Sequence, residues 1–315
     1  MANGTIGVAA MGGGAADTLA TVEDLERRGI EAAWLTTGGA GLDALTLLGA
    51  AAVTTKRILL GTSIIPTWPR HPVAAVQQVQ VLAQLAPGRF RFGVGPSHRP
   101  AMTQIFGADF DAPLTNLREY LTIAKTLLRD GSVRFEGEHY RTEATIPAPA
   151  PDVPVMASAL RPNAYEVCGE LADGAISWVS PAEYLRDVGL PALARGAARA
   201  GRDAPPLVAH VPVCVHDDAD EARAAFRDQF GRYPTLPFYS RMLQTAGFTE
   251  AADGSWSDAM IASVMVAGDE EAVATRIREL FSWGIAEVLV SVVTAGTDAE
   301  HSRVRALSLV ASLTP

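Results

Sequence analysis

The stretch Arg57–His98, RILLGTSIIPTWPRHPVAAVQQVQVLAQLAPGRFRFGVGPSH, reads as strand, loop, helix, strand, loop. Arg57–Ile65 is a largely apolar run with β-branched residues, the pattern of a strand buried on both faces. Pro66, Thr67, Trp68 and Pro69 break it. His71-Pro72 opens a helix, with proline at a position where its missing N–H costs nothing. Val73, Val76, Val79, Leu82 and Leu85 then recur at helical spacing, and Pro87-Gly88 stops the run. Arg89–Val94 is a second strand, left through the polar loop Gly95-Pro96-Ser97-His98. Two short apolar strands joined through a helix make a βαβ unit. Both strands end in loops on the same side of the sheet, where parallel α/β proteins keep their chemistry.

The same alternation extends outward. Thr5–Ala10 and Glu31–Leu35 read as strands, separated by a helix that starts at a cap on Asp17 or Thr18 and runs to Arg28. Glu23, Asp24 and Glu26 read as its solvated face. Asp43–Thr54 is an alanine- and leucine-rich helix. After His98 the rhythm changes: Arg99–Pro113 is a partly helical excursion, Leu117–Leu128 a helix, and Val133–Arg141 a small hairpin. Val155–Ala159, Gly174–Val179, Leu207–Val215 and Ala286–Val293 read as further strands. Helices lie over Pro162–Leu171, Ala182–Ala200 (interrupted at Pro191) and Asp218–Phe230, the last capped by Asp217 or Asp218. Tyr233–Met260 is irregular with short helical pieces, Ser263–Ala267 is extended, and helices close the chain from Gly268 to Trp283 and over Ala299–Leu313. Eight candidate barrel strands fall near residues 6, 33, 61, 92, 156, 176, 210 and 290. The expected fold is an α/β (β/α)8 TIM barrel, one domain over 1–315, with insertions after strands 4 and 7. A doubly wound open sheet is the competing topology, but Gly12-Gly13-Gly14 is a poor substitute for GxGxxG after the first strand.

Composition narrows the classes of function. With 48% hydrophobic and 19% charged residues, the 315-residue chain has ample material for a core. A net charge of −9 argues against a nucleic-acid partner. The two cysteines, Cys168 and Cys214, form no CxxC, so neither a metal site nor a disulfide framework is expected, and a reducing cytoplasm is the simplest setting. MANGTIGVAAMGGG lacks the basic segment and apolar core of a signal peptide. No run reaches the roughly 18 apolar residues of a membrane span.

Several motifs together resemble the luciferase-like monooxygenase superfamily. They are Gly61-Thr62-Ser63 with Arg70-His71-Pro72, then Pro87-Gly88-Arg89-Phe90 and Gly93-Val94-Gly95. Glu136-Gly137-Glu138-His139-Tyr140, Leu171-Ala172-Asp173-Gly174, Ala267-Gly268-Asp269 and Gly284-Ile285-Ala286-Glu287 follow in the same order. Gly95-Pro96-Ser97-His98 is most similar to the branch that uses the deazaflavin coenzyme F420 rather than FMN. The resemblance implies a TIM barrel with a flavin-like ring in its mouth, and a cis peptide bond at Ser63–Ile64 backing one face of that ring. It implies cofactor contacts at Thr36, Ser63, Ile64, Gly95 and Ser97. It also implies a phosphate site at Ser158, Ala159, Leu160 and Arg161, where a loop aims a helix N-terminus at an anion. Some relatives carry an aspartate-histidine pair after the second strand; this chain has Thr36-Thr37.

His98 is the candidate catalytic acid or base, since it follows a strand's C-terminal end and histidine titrates near working pH. The alternative is a polar loop histidine without a chemical task. Arg161 either adds a charge-assisted bond to the phosphate or is a solvated first-turn arginine. Arg70 and His71 serve loop geometry before they serve a ligand, and Trp68 is placed to wall the substrate site. His139, His210, His216 and His301 lack ligand spacing, so no metal is expected. The tracts Phe226–Phe230 and Phe238–Phe248 are helical core, with a lid or dimer surface as the alternative. The function expected is an F420-dependent oxidoreductase passing hydride to or from a small organic substrate, as a homodimer by the habit of the family. An FMN-dependent monooxygenase and a non-catalytic flavin-binding barrel are the other readings.

Overall fold

A computed structural model describes residues 4–314. Eight parallel strands form the barrel: β1 Thr5–Ala9, β2 Ala32–Leu35, β3 Leu59–Thr62, β4 Phe90–Gly95, β5 Val155–Ser158, β6 Gly174–Ser177, β7 Leu207–Val215 and β8 Glu287–Val292. Each pairs with the next, β8 pairs with β1, and the ring is therefore closed. This is the expected (β/α)8 barrel. Closure leaves no sheet edge, and every strand needs an apolar face on both sides, which is why the strand segments are near-continuous hydrophobic runs. The insertion after β4 holds the helix Arg99–Phe106 and the antiparallel hairpin Ser132–Glu136/Arg141–Thr145. Glu119 holds that hairpin's turn: its carboxylate accepts the N–H groups of Glu138, His139 and Tyr140 at 2.7, 2.9 and 3.0 Å. The insertion after β7 carries the short helices Pro237–Thr245 and Asp258–Val264. No helix among the described residues is long and apolar enough to cross a membrane.

Two cores result. The larger lies between sheet and helices; the smaller fills the barrel and comprises Ala32, Trp34, Met156, Ile176, Val208 and Leu289. At the N-terminal ends of the strands the barrel interior is polar. Glu287 accepts from Trp34 Nε1 at 2.6 Å and takes both terminal nitrogens of Arg91, whose guanidinium lies 4.2 Å above the Trp34 ring. The Trp34 indole needs space, and it takes it from two glycines. A Cβ at Gly61 would lie 2.4 Å from the ring, and one at Gly7 would lie 2.7 Å from Nε1.

Several local expectations are corrected. The run Arg57–Ile65 is not one strand: Leu59–Thr62 pairs with β2 and the start of β4, and Ile65–Pro66 pairs separately with the end of β4. The first helix is Ala15–Arg27, and Gly14, not Asp17 or Thr18, is its N-cap. Thr18 instead accepts from Gly12 N–H and donates to Gly14 O, sealing the loop before the helix. Glu26 is no solvated-face residue. One of its oxygens accepts the N–H groups of Lys56, Arg57 and Ile58, pinning this helix to the entry of β3. Burial pushes its carboxyl pKa up, but those three bonds outweigh it and hold it below the usual range. Leu85, the last of the helical apolar positions, is exposed. The irregularity near Pro191 comes before it, as the wide turn Leu185–Gly189, because proline has no N–H to donate to the preceding turn. Ser263–Ala267 splits into a helix end and a short strand, Val266–Gly268, that adds to β7.

Candidate active site at the barrel mouth

The loops after β2, β3, β4 and β5 bring most of the expected ring contacts together. The Ser63–Ile64 peptide bond is cis, as the resemblance implies. Thr36 and Thr37 supply its supports: Thr36 Oγ1 donates to Ser63 O at 2.7 Å, and Thr37 N–H donates to Ile64 O at 3.1 Å. The two threonines therefore have a task here, although they are not the pair some relatives carry. Ile64 is half-buried at the barrel mouth, and Gly95 lies beside it. A Cβ on Gly95 would sit 2.1 Å from Ser158 Oγ and 3.2 Å from Ile64 Cγ1. Glycine is required there because Ser158 fills the space a side chain would take, so the end of β4 packs directly against Ser158 and Ile64. Ser97 follows with a left-handed backbone at φ 59°.

Ser158–Arg161 leads into the helix Pro162–Leu171, with proline at its first turn. Ala159 is buried and its N–H is committed to Ile176 O, so it has no donor to offer an anion. Leu160 O accepts from Tyr184 OH, and Arg161 is exposed at the N-cap. In the first helical turn Pro162 has no N–H and those of Ala164 and Tyr165 donate to Arg161 O, so Asn163 N–H and the Arg161 guanidinium are the donors left to meet an anion. The apolar support at Ile64, the backbone packed closely at Gly95 and the neighbouring helix N-terminus suit a flat heterocycle with a phosphate-bearing tail.

His98 ends the same loop after β4. It is the N-cap of Arg99–Phe106, and its ring is 5.6 Å from that of Tyr239 in the insertion after β7. Burial, and then the charge of Arg232, push its pKa down to about 4. Arg70 is bonded to Asp43 at 2.6 Å and His71 caps its own helix through Nδ1, so both serve loop geometry. Trp68 stacks on Phe110 at 5.2 Å. Phe226 and Phe230 are core.

One cluster went unread in the sequence. Trp178, at the end of β6, stacks on His210 of β7 with ring centroids 3.6 Å apart. Val179 N–H donates to His210 Nδ1 at 3.2 Å, which leaves the ring proton on Nε2, 2.7 Å from Ser291 Oγ of β8. The histidine therefore donates to Ser291, and the serine proton is free to point elsewhere. Trp178 Nε1 donates to Tyr233 OH at 2.7 Å. His210 and Ser291 are 81 positions apart, so no local spacing announces them.

Burial holds the His210 pKa at about 3. The unfolded chain takes up a proton below pH 6.5 that the folded chain refuses, so stability falls as pH drops from 6.5 towards 3 and is unaffected above. At pH 4.5 the expected loss from this group is on the order of 2–3 kcal/mol. Urea midpoints at pH 7.5 and 4.5 test it: His210→Gln should lose less stability between the two than the parent. An equal loss in both would exclude His210 as a source.

The luciferase-like monooxygenase family model matches residues 2–287. A relative from Beutenbergia cavernae, an F420-dependent glucose-6-phosphate dehydrogenase, is 36% identical over 197 residues, covering 61% of this chain and 59% of that protein. Among solved structures, an F420-dependent secondary alcohol dehydrogenase holding an F420-acetone adduct superposes with TM-score 0.80 at 20% identity, covering 99% of this chain and 98% of that one. The FMN-bound oxygenating constituent of 3,6-diketocamphane monooxygenase from Pseudomonas putida superposes with TM-score 0.74 at 18% identity, covering 99% and 98%. The fold is thus shared by proteins bound to F420 and to FMN, and by its sequence this chain belongs to the luciferase-like monooxygenase family.

Proposed function

We propose that the chain is an F420-dependent oxidoreductase that passes a hydride between deazaflavin C5 and a small organic substrate, acting in the cytoplasm as a homodimer. The observation that carries the reading is the close-packed cluster of Ile64, Gly95 and Ser158 at the C-terminal ends of β3, β4 and β5. The similarity to an F420-dependent dehydrogenase at 36% identity supports F420 over FMN. The cofactor, when bound, supplies the hydride chemistry. The protein's own residues do the rest. Ile64 and Gly95 back one face of the ring, and Thr36 keeps the Ser63 carbonyl in place. The first turn of Pro162–Leu171, with Arg161, holds the phosphate. Ser291, held by His210, presents a hydroxyl donor towards a substrate oxygen. His98, neutral at pH 7, accepts the substrate's proton or a hydrogen bond from it.

Titration of the purified chain with F420 and with FMN tests this. F420 should bind and FMN bind at least about tenfold more weakly. In Gly95→Leu the added side chain would collide with Ser158 and Ile64, and their displacement should cut F420 affinity at least about tenfold. Binding of FMN alone would turn the reading to the monooxygenase, and binding of neither would overturn both.

A further inference from the structure

The helices Ala44–Thr54 and Pro72–Leu85 follow β2 and β3, pack on each other and run side by side down the outside of the barrel. Their sequences, ALTLLGAAAVT and PVAAVQQVQVLAQL, hold no Asp, Glu, Lys or Arg. Every other helix of eight or more residues among those described carries at least one. A helix that is apolar all round is normally buried all round. These two are not. Val53, Val81 and Leu85 are 58, 54 and 41% exposed. Val53 and Val81 are each the tenth residue of their helix, so they lie level on neighbouring helices. Ile105 Cδ1 lies 3.3 Å from where a Gly39 Cβ would be, over the loop that leads into Ala44–Thr54. Ile105 and Leu42, both exposed, therefore continue the apolar face towards the mouth. Charge returns at its borders, with the Asp43–Arg70 pair above and exposed Lys56 and Arg57 below. An apolar centre with a polar rim is the anatomy of a protein contact.

The absence of charge also bears on what covers the face. A two-fold axis lays a surface against itself, so charged side chains near the axis meet their own sign. Contact with a different protein carries no such restriction. At a net charge of −9, two copies of this chain repel over most of their surface, and a neutral face is where they meet without that repulsion. The polar groups the face does hold are of a kind that pairs with itself. Gln77 and Gln84 are exposed, and an amide is donor and acceptor at once, where a lysine only donates and a carboxylate only accepts. Size agrees. Helices about 16 and 21 Å long and about 10 Å apart present roughly 400 Å2 in projection, to which the Leu42 and Ile105 end adds, and a small stable interface takes about 600 Å2 of accessible surface per partner.

We infer that a second copy of the chain docks on this face, the helix pair of one protomer against the helix pair of its partner. The inference rests on the homodimer part of the proposed function and names its surface; it does not depend on the cofactor.

Sedimentation velocity of the full chain at micromolar concentration tests it. Val53→Glu/Val81→Glu and Val53→Lys/Val81→Lys, at exposed positions, should each raise the dimer Kd at least about 100-fold, because like charges then face each other across the axis. An equimolar mixture of the two should form a dimer again, since opposite charges meet whichever valine lies against which. Val304→Glu, on the outer helix Ala299–Leu313, should leave the dimer intact. Far-UV circular dichroism should be the same for all. A monomeric parent overturns the homodimer reading and the inference with it. A dimeric parent whose charged variants stay dimeric, or do not recombine with each other, overturns the inference and leaves the homodimer standing. Dissociation by Val304→Glu places the contact elsewhere and overturns it in the same way.

Discussion

Glu287→Leu should cost about 3–5 kcal/mol of stability, the toll of leaving a buried charge without its partner. Glu287 and Arg91 have side-chain exposures of 5% and 14% and meet through two hydrogen bonds inside the barrel. Removing the carboxylate strands the guanidinium and also leaves Trp34 Nε1–H, now bonded at 2.6 Å, without an acceptor. The thermal midpoint should fall by on the order of 10 °C. The pair itself is a different matter from its breakage. Desolvating two charges offsets most of their attraction, so Arg91→Met/Glu287→Leu should recover most of the loss. Glu287→Gln, which keeps an acceptor for Trp34, should fall between. Thermal and urea unfolding of the three variants check this. A single variant within about 1 kcal/mol of the parent would mean that Arg91 finds another partner or solvent.

His98→Ala should lower kcat about 100-fold, the usual worth of one acid–base group, while F420 affinity stays within about threefold. The two effects divide because the His98 ring packs against Tyr239, whereas Ile64, Gly95 and Ser158 pack against one another. Its pKa of about 4 adds a signature, because the neutral form prevails over the working range. In the parent, kcat/KM should fall only as pH drops towards 4, and His98→Ala should lose that limb. His98→Gln keeps hydrogen bonding without titration. If it restores rate, the side chain acts as a hydrogen-bond partner; if it does not, as a base. Unchanged turnover in His98→Ala would remove the residue from the chemistry.

The barrel was legible because closure demands strands that are apolar on both faces, bounded by glycine and proline, and each of the eight runs has that form. The helix starts at Pro72 and Pro162 were legible for a local reason, proline at the first turn. What escaped were contacts made across the chain. Glu26 looked like one of three acidic residues on a wet face, and only the return of the chain at Lys56–Ile58 gives its carboxylate three donors. His210 was an isolated histidine in an apolar strand until β6 and β8 placed Trp178 and Ser291 against it. The site at Ser63–Ile64 was readable only through family resemblance, since nothing in the spacing distinguishes it from an ordinary strand end. The supports at Thr36-Thr37 then explain how this chain keeps the arrangement without the pair that some relatives use.

The packing of Trp34 against Gly7 and Gly61 bears on how this barrel can change over time. The indole fills the volume that side chains at both glycines would need. A larger residue at Gly61 is therefore harmful while the tryptophan stands, and a smaller residue at position 34 opens a void while the glycines stand. Each first step loses stability and only the combined steps regain it, so the effects of the three substitutions are strongly non-additive. Lineages that differ at one of these positions are expected to differ at the others, and a library that varies them one at a time will miss the folded alternatives.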